Sequence, residues 1–282
     1  MKSALLILRE SLSSLSNTEQ EVARYLLDDP QQIVDLSIHD LAKRTFSSSS
    51  TIVRLCHRLG FTGFKDFRKS VTYELALREQ HLKTEEKELE RSDSLEEIIE
   101  KITYKNIMSL EDTKNLMDVQ VLRECLWLIQ NARFIYLFGI GASLCAAKDA
   151  YLKFLRLNKP CIINEDWHSQ LLQARNATEK DLGIVISYSG QTVEMIECMK
   201  AMKENGTPII AITRCVNSPV SELADHKLYT TANESTFRSG AMSSRMSQLN
   251  IVDILYTALA NSRYDQSLEQ LSRTHIHKPV KI

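Results

Sequence analysis

Between residues 133 and 230 the chain alternates between short runs rich in β-branched and large apolar residues and longer amphipathic stretches. The runs are 133–138, 161–164, 182–187, 208–213 and 227–230, with helix-length segments such as 142–157 and 192–205 between them. A strand followed by a helix and another parallel strand returns to its sheet by a right-handed crossover. The pattern therefore predicts an α/β domain: a five-stranded parallel sheet flanked by helices, closed by a last long helix over about 243–261.

The beginning of the chain obeys a different period. Leu5, Leu8, Leu12 and Leu15 recur at three- and four-residue steps, as one face of a helix requires. Ser16-Asn17-Thr18-Glu19 opens a second helix that carries Val22, Leu26 and Leu27 and stops near Asp29-Pro30. A third begins at Ser37, with Asp40 in its first turn. Charge divides the chain as well. Residues 40–69 hold seven Lys/Arg against two Asp, whereas residues 74–101 hold ten acids against five bases. The stretch 80–94 has few large apolar residues beyond Leu82 and Leu89 and cannot build a core. These shifts assign residues 1–77 to an all-α domain, 78–94 to an acidic linker and 95–282 to the α/β domain.

Within the first domain, residues 36–59 read as helix, three-residue turn and helix. Leu41 and Ala42 face inward from the first helix, Thr45-Phe46-Ser47 breaks the pattern, and Ser48 caps a second helix whose Ile52, Leu55, Cys56 and Leu59 face inward. Ser48, Ser49, Ser50, Thr51 and Arg54 then sit at its exposed N-terminal end. Small hydroxyl residues let a helix end enter the major groove, and an arginine reaches phosphate or guanine. Lys43, Arg44, Arg58 and Lys65, together with Arg68, flank that end as phosphate contacts, which carry affinity without sequence information.

Ser48-Ser49-Ser50-Thr51-Ile52-Val53-Arg54-Leu55, followed by Leu59-Gly60-Phe61-Thr62-Gly63-Phe64, resembles the helix-turn-helix DNA-binding domain of RpiR-type bacterial transcriptional regulators. Two departures stand out: Ser47 replaces a usually apolar residue, and the turn lacks the glycine that many members carry.

In the α/β domain two loops after strands carry chemistry. Gly139-Ile140-Gly141-Ala142-Ser143 starts as a dinucleotide loop does, but the third glycine of that pattern falls on Leu144, so the dinucleotide reading fails there. Ser187-Tyr188-Ser189-Gly190-Gln191-Thr192 opens a helix with hydroxyls and a glycine, a cradle for an anion. No Walker lysine follows it. This loop resembles the phosphate-gripping Ser-x-Ser-Gly-x-Thr loop of the sugar isomerase (SIS) domain. The resemblance extends through Asp166-Trp167-His168-Ser169-Gln170, Ser218-Pro219 and Glu234-Ser235-Thr236. RpiR-type regulators join these same two domains in this order.

The resemblance implies that Ser187, Ser189 and Thr192 hold a phosphate while Gly190 and Gln191 shape the loop. It further implies that Ser143 and His168 face a sugar and Glu234 bonds sugar hydroxyls. Arg245 could pair with the phosphate or with a partner subunit. The implied protein is a homodimer or homotetramer. It binds a double-stranded operator of two-fold symmetry and answers to a sugar phosphate, first among them an N-acetyl amino-sugar 6-phosphate. Enzymatic SIS proteins isomerise phosphosugars or cleave sugar ethers with a carboxylate base, for which Glu165, Glu194 and Glu234 are available. The attached DNA-binding domain favours sensing without turnover, so no catalytic residues are assigned, and an isomerase or etherase is the alternative.

The remaining classes fall away on composition. A formal charge of −1 excludes a uniformly basic coat for nucleic acid. No apolar run approaches the roughly 20 residues of a membrane span, and the N-terminal stretch lacks a cleavage-site pattern. Six scattered cysteines without a C-x-x-C pair suit reduced thiols in the cytoplasm. The seven histidines lack metal-ligand spacing, so no metal or other cofactor is expected.

Overall fold

The computed structural model describes residues 4–81, 89–232 and 241–276. Two compact units emerge. The first comprises 1–104 with 114–116 and 215–217; the second comprises 105–113, 117–214 and 218–282. The division falls inside one helix, α6 (Leu95–Leu116), and part of the acidic stretch, 82–88, lies outside the described residues.

The first unit is helical. Its other α-helices are α1 (Ala4–Ser11), α2 (Asn17–Asp28), α3 (Ile38–Arg44), α4 (Ser49–Arg58) and α5 (Phe64–His81), with a 3₁₀ helix over Pro30–Val34. The leucine stripe 5–15 is not one helix: α1 stops at Ser11 and a 3₁₀ turn, Leu12–Ser14, follows. Ser14 Oγ donates to Ser11 O at 2.8 Å, the local side-chain bond that makes serine a poor helix interior. Ser16 caps α2 reciprocally with Glu19, and Ser37 caps α3 by accepting from the Asp40 N–H at 3.2 Å. One core collects Leu5, Leu8, Val22, Leu26, Leu41, Ile52, Leu55, Phe61, Phe67 and Val71. Phe61 and Phe67 meet edge to face, with ring centroids 5.3 Å apart.

The second unit is the α/β domain. Its strands are β1 (Ile135–Phe138), β2 (Cys161–Ile163), β3 (Leu182–Ile186), β4 (Ile209–Arg214) and β5 (His226–Thr230), all parallel, in the order β2-β1-β3-β4-β5. The helices are α7 (Val119–Asn131), α8 (Ala142–Arg156), α9 (Trp167–Asn176), α10 (Val193–Glu204), α11 (Pro219–Leu223), α12 (Met242–Ser262) and α13 (Tyr264–Arg273). Successive strand residues point to opposite faces, and the cores follow that period. Ile135, Leu137, Ile184, Ile186, Ile210 and Ile212 pack on one face with residues of α7, α8 and α12. Tyr136, Phe138, Val185, Ile209 and Ala211 pack on the other with residues of α9, α10 and α11. The central strands β1 and β3 are buried along their whole length, which explains why they read as unbroken apolar runs.

Arg133, just ahead of β1, pairs through both ends of its guanidinium with the buried Asp181, at 2.9 and 2.8 Å. Burial by itself would raise the Asp181 carboxyl. The Arg133 guanidinium and the N–H and hydroxyl of Thr178 outweigh it and hold the group below its usual range. Among the described residues no helix is long and apolar enough to cross a membrane.

Candidate functional site

In the first unit the expected helix-turn-helix is present: α3, the turn 45–47, and α4 opening at Ser48. Ser48 Oγ accepts the Thr51 N–H at 3.1 Å and lies 2.8 Å from Ser50 Oγ and 2.9 Å from Thr51 Oγ1. This network pins the N-terminal end of the helix and leaves Ser48, Ser50 and Arg54 exposed on it. Ser49 is half-buried and meets His39 Nδ1 at 3.3 Å. Thr51 corrects the reading of a fully exposed hydroxyl run: it is buried, and its hydroxyl serves Ser48 and the Arg54 guanidinium. Helical rotation explains this, since Thr51 lies on the side of Ile52 and Leu55.

The flanking cations divide. Lys43 and Lys65 are exposed. Arg44 donates to Tyr25 Oη at 3.0 Å and to Gln32 Oε1 at 2.9 Å, which holds it across α2. Arg58, in the last turn of α4, is paired with Glu19 at 3.0 Å. Glu19 is buried, which would raise its carboxyl. The Ser16 N–H and hydroxyl and the Arg58 guanidinium pull it below its usual range instead. Ser47, which replaces an apolar residue, satisfies its hydroxyl against Thr45 Oγ1 at 2.9 Å.

In the second unit the site is set by topology. In a 2-1-3-4-5 sheet the connections from β1 and β3 leave toward opposite faces, and a crevice opens at their carboxyl ends. The loops 139–143 and 187–192 leave those two ends. Ser187 is buried, with its Oγ 3.1 Å from Thr192 Oγ1. Thr192 is the N-cap of α10, yet its side chain makes no cap bond, so the first N–H groups of that helix lack their usual side-chain acceptor. Ser189 Oγ accepts the Gln191 N–H at 3.2 Å. Gly190 has φ +65°, and a Cβ there would come within 2.2 Å of Ser218 Oγ and 3.2 Å of Thr213 Oγ1, so both backbone and space demand glycine. Hydroxyl groups, uncapped helix N–H groups and a close backbone make a cradle for an oxyanion.

The loop after β1 is held by a residue absent from the expected site. Gln170, fully buried in α9, accepts the Gly139 N–H at 3.2 Å and donates to the Gly139 carbonyl at 3.1 Å. This clamp fixes the loop carrying Ser143 to the helix carrying His168. Gln248 of α12 is likewise buried, and its Nε2 donates to Ser143 Oγ at 3.1 Å. Gln170 belongs to the quoted motif 166–170, so its type was visible but its partner was not. Gln248 gave no signal beyond a polar residue on a helix face shared by Ser244 and Ser247 with Ile251, Val252 and Leu255.

His168 is exposed in the first turn of α9, where Asp166 caps the helix by accepting the Ser169 N–H at 2.9 Å. That N–H, with the Ser169 hydroxyl, holds the Asp166 carboxyl below its usual range. Arg245 is exposed in the first turn of α12, and Gln191 is exposed beside the cradle. Glu234 lies outside the described residues. Of the carboxylates considered as bases, Glu165 is paired with Lys148 at 2.7 Å, and Glu194 sits in the first turn of α10.

Cys145, two residues beyond Ser143, is exposed. Burial pushes the thiols of Cys56, Cys125, Cys161 and Cys198 up to about 12 and that of Cys215 to about 11. Among the described residues no group of three or more His, Cys, Asp or Glu is placed to hold a metal ion.

A helix-turn-helix unit and a doubly wound unit with a hydroxyl-lined anion cradle define a DNA-binding protein with a ligand-binding partner domain. Residues 2–78 match the rpiR-family helix-turn-helix domain, and residues 128–258 match the SIS domain. An HTH-type transcriptional regulator of Caldanaerobacter subterraneus is 33% identical over 97% of this chain and 96% of its own. The regulator YbbH of Bacillus subtilis is 32% identical over 96% and 95%. Among solved structures, the Vibrio vulnificus NanR protein complexed with ManNAc-6P is 28% identical, covers 96% of both chains and superposes with a TM-score of 0.60. The sugar isomerase domain of an RpiR transcription factor from Sphaerobacter thermophilus shares the fold, at 19% identity over 62% of this chain and 97% of that one, with a TM-score of 0.57. The chain belongs to the RpiR family of helix-turn-helix transcriptional regulators and carries an SIS domain.

Proposed function

We propose that this regulator senses an N-acetyl amino-sugar 6-phosphate in its SIS domain and that binding changes its affinity for an operator. The hydroxyl cradle 187–192 carries the reading. Ser187, Ser189 and Thr192 take the phosphate with the N–H groups of α10, Gly190 and Gln191 shape the loop, and Ser143 and His168 face the sugar. Glu234 bonds sugar hydroxyls, and Arg245 supplies a cation. Support for the sugar class comes from NanR, which is seen with ManNAc-6P and aligns along nearly the whole chain. The attached helix-turn-helix domain, which a free-standing isomerase has no need of, favours sensing over isomerisation.

On the DNA side, Ser48, Ser49, Ser50 and Arg54 meet the groove. Lys43, Arg44, Arg58 and Lys65 meet phosphates, with Arg44 and Arg58 first released from their present partners and Thr51 buttressing the helix end. A homodimer or homotetramer presents two such heads to a two-fold operator. The acidic segment 78–94 links head and sensor, and coupling requires that the effector bind the two arrangements with different affinity.

The test is a thermal shift with ManNAc-6P, GlcNAc-6P and MurNAc-6P beside glucosamine 6-phosphate and ribose 5-phosphate, the mixtures then assayed for product. Ligand at a hundredfold above its Kd stabilises by about 2.7 kcal/mol. The expected result is a shift for an N-acetylated sugar that is recovered unchanged and is abolished by Ser187→Ala with Ser189→Ala, while DNA binding persists. Conversion of the sugar would place the protein with the isomerases.

A further inference from the structure

The turn between α3 and α4 carries an apolar side chain that its own unit leaves almost wholly in solvent. Phe46 is 97% exposed, the most exposed large apolar side chain among the described residues. Its backbone is left-handed, at φ +48°, where a Cβ is strained and glycine or asparagine is the ordinary occupant. The turn closes through other groups. The Thr45 N–H donates to Leu41 O at 3.0 Å, the Ser47 N–H to Ala42 O at 2.9 Å, and Thr45 Oγ1 to Leu41 O at 2.8 Å. The geometry needs a left-handed residue at position 46; nothing in it needs a phenyl ring. In the free chain a Cβ at this position strains the turn and the ring leaves apolar surface in water, which directs attention to what the ring would meet in a complex.

Its place says which complex. Phe46 stands two residues ahead of Ser48, the N-cap of α4, and the N-terminal end of the second helix is the part of a helix-turn-helix that reaches base edges. Exposed Lys43 precedes it in sequence and exposed Ser48, Ser50 and Arg54 follow; on its other side it borders a groove where Arg24 and Arg44 stand beside Glu21 and Asp28. These cations and hydroxyls suit a polyanion, and the apolar feature that the major groove of DNA offers is the thymine 5-methyl group. We propose that Phe46 reads thymine by packing on that methyl at the edge of the site, a specificity contact supplied by the turn rather than by α4. The proposal rests on α4 being the groove-entering helix.

The test is selection of bound duplexes from a random pool by the full chain and by Phe46→Gly, with Phe46→Asn as a second left-handed replacement. The wild-type chain should enrich a thymine that neither variant enriches. Replacing that thymine by deoxyuridine removes only the methyl; it should weaken wild-type binding about fourfold per methyl contacted and leave the variants unchanged. Phe46→Gly should melt at least as high as wild type, because glycine relieves the strained turn. Equal sensitivity to deoxyuridine in all three chains would overturn the proposal. So would a variant that melts lower yet keeps the thymine preference, since the ring would then be structural. A wild-type chain that enriches no sequence would overturn the groove-entering assignment of α4 and the role of Phe46 with it.

Discussion

Substituting Gly190 by alanine tests the cradle most directly. The new Cβ meets two separable penalties. One is the left-handed backbone at φ +65°, worth about 1–2 kcal/mol for a residue with a Cβ. The other is overlap with Ser218, whose Oγ and Cβ would lie 2.2 and 2.7 Å away. Ser218 is itself fixed, because its Oγ accepts the Ser221 N–H at 3.2 Å at the cap of α11, so it yields only with local distortion, about 1–3 kcal/mol on the scale of overpacked cores. Gly190→Ala should therefore destabilise the second unit by about 2–5 kcal/mol, a fall of roughly 5–15 °C in Tm for a unit of this size. Ser218→Gly removes both clashing atoms and, as glycine at an N-cap, costs only a few tenths of a kcal/mol by itself. The double variant should consequently be more stable than Gly190→Ala alone, with a coupling of about 1–3 kcal/mol in its favour. Denaturant unfolding of the four chains measures that coupling. Additivity within about 0.5 kcal/mol would refute the claim that the loop is seated on Ser218.

Gln170→Leu should destabilise the second unit by about 2–6 kcal/mol, since both buried polar groups of Gly139 lose their partner, and should weaken effector binding measured by calorimetry. Arg54→Ala should lower operator affinity in a gel-shift assay at least tenfold while the effector-induced thermal shift stays unchanged. The folded Asp181 carboxyl is held below its unfolded value, so its contribution is present above pH ~4 and is lost as pH falls through the folded value. Asp181→Asn should flatten the acid limb of the stability curve in that window, followed by unfolding at successive pH values.

Much of the fold was legible because its periods are clean. The five apolar runs became the five strands, and Ser16, Ser37 and Ser48 began helices where their side chains predicted. The leucine stripe misled, because the 3.6-residue period says nothing about Ser14, whose hydroxyl bonds the Ser11 carbonyl where α1 gives way to a 3₁₀ turn. In the candidate site, the loop carrying Ser187 and Ser189 was legible from local chemistry. Gln170 and Gln248 were not, because their roles come from partners 31 and 105 residues away in sequence. Thr51 failed as an exposed contact for a subtler reason: four consecutive serines and a threonine look alike in sequence, but a helix turns 100° per residue and sends one of them inward.

The protection of the other cysteines has a practical side. Cys56, Cys125 and Cys198 are buried and Cys161 and Cys215 partly so, and burial that pushes their thiols up to about 11 to 12 slows alkylation near neutrality. Cys145 is the exposed one, at the start of α8 beside the Gly139–Ser143 loop. The unaltered chain thus carries its own preferred attachment point for a fluorophore next to the proposed effector pocket. A maleimide dye there would turn each binding event into an optical signal, with no cysteine to add first.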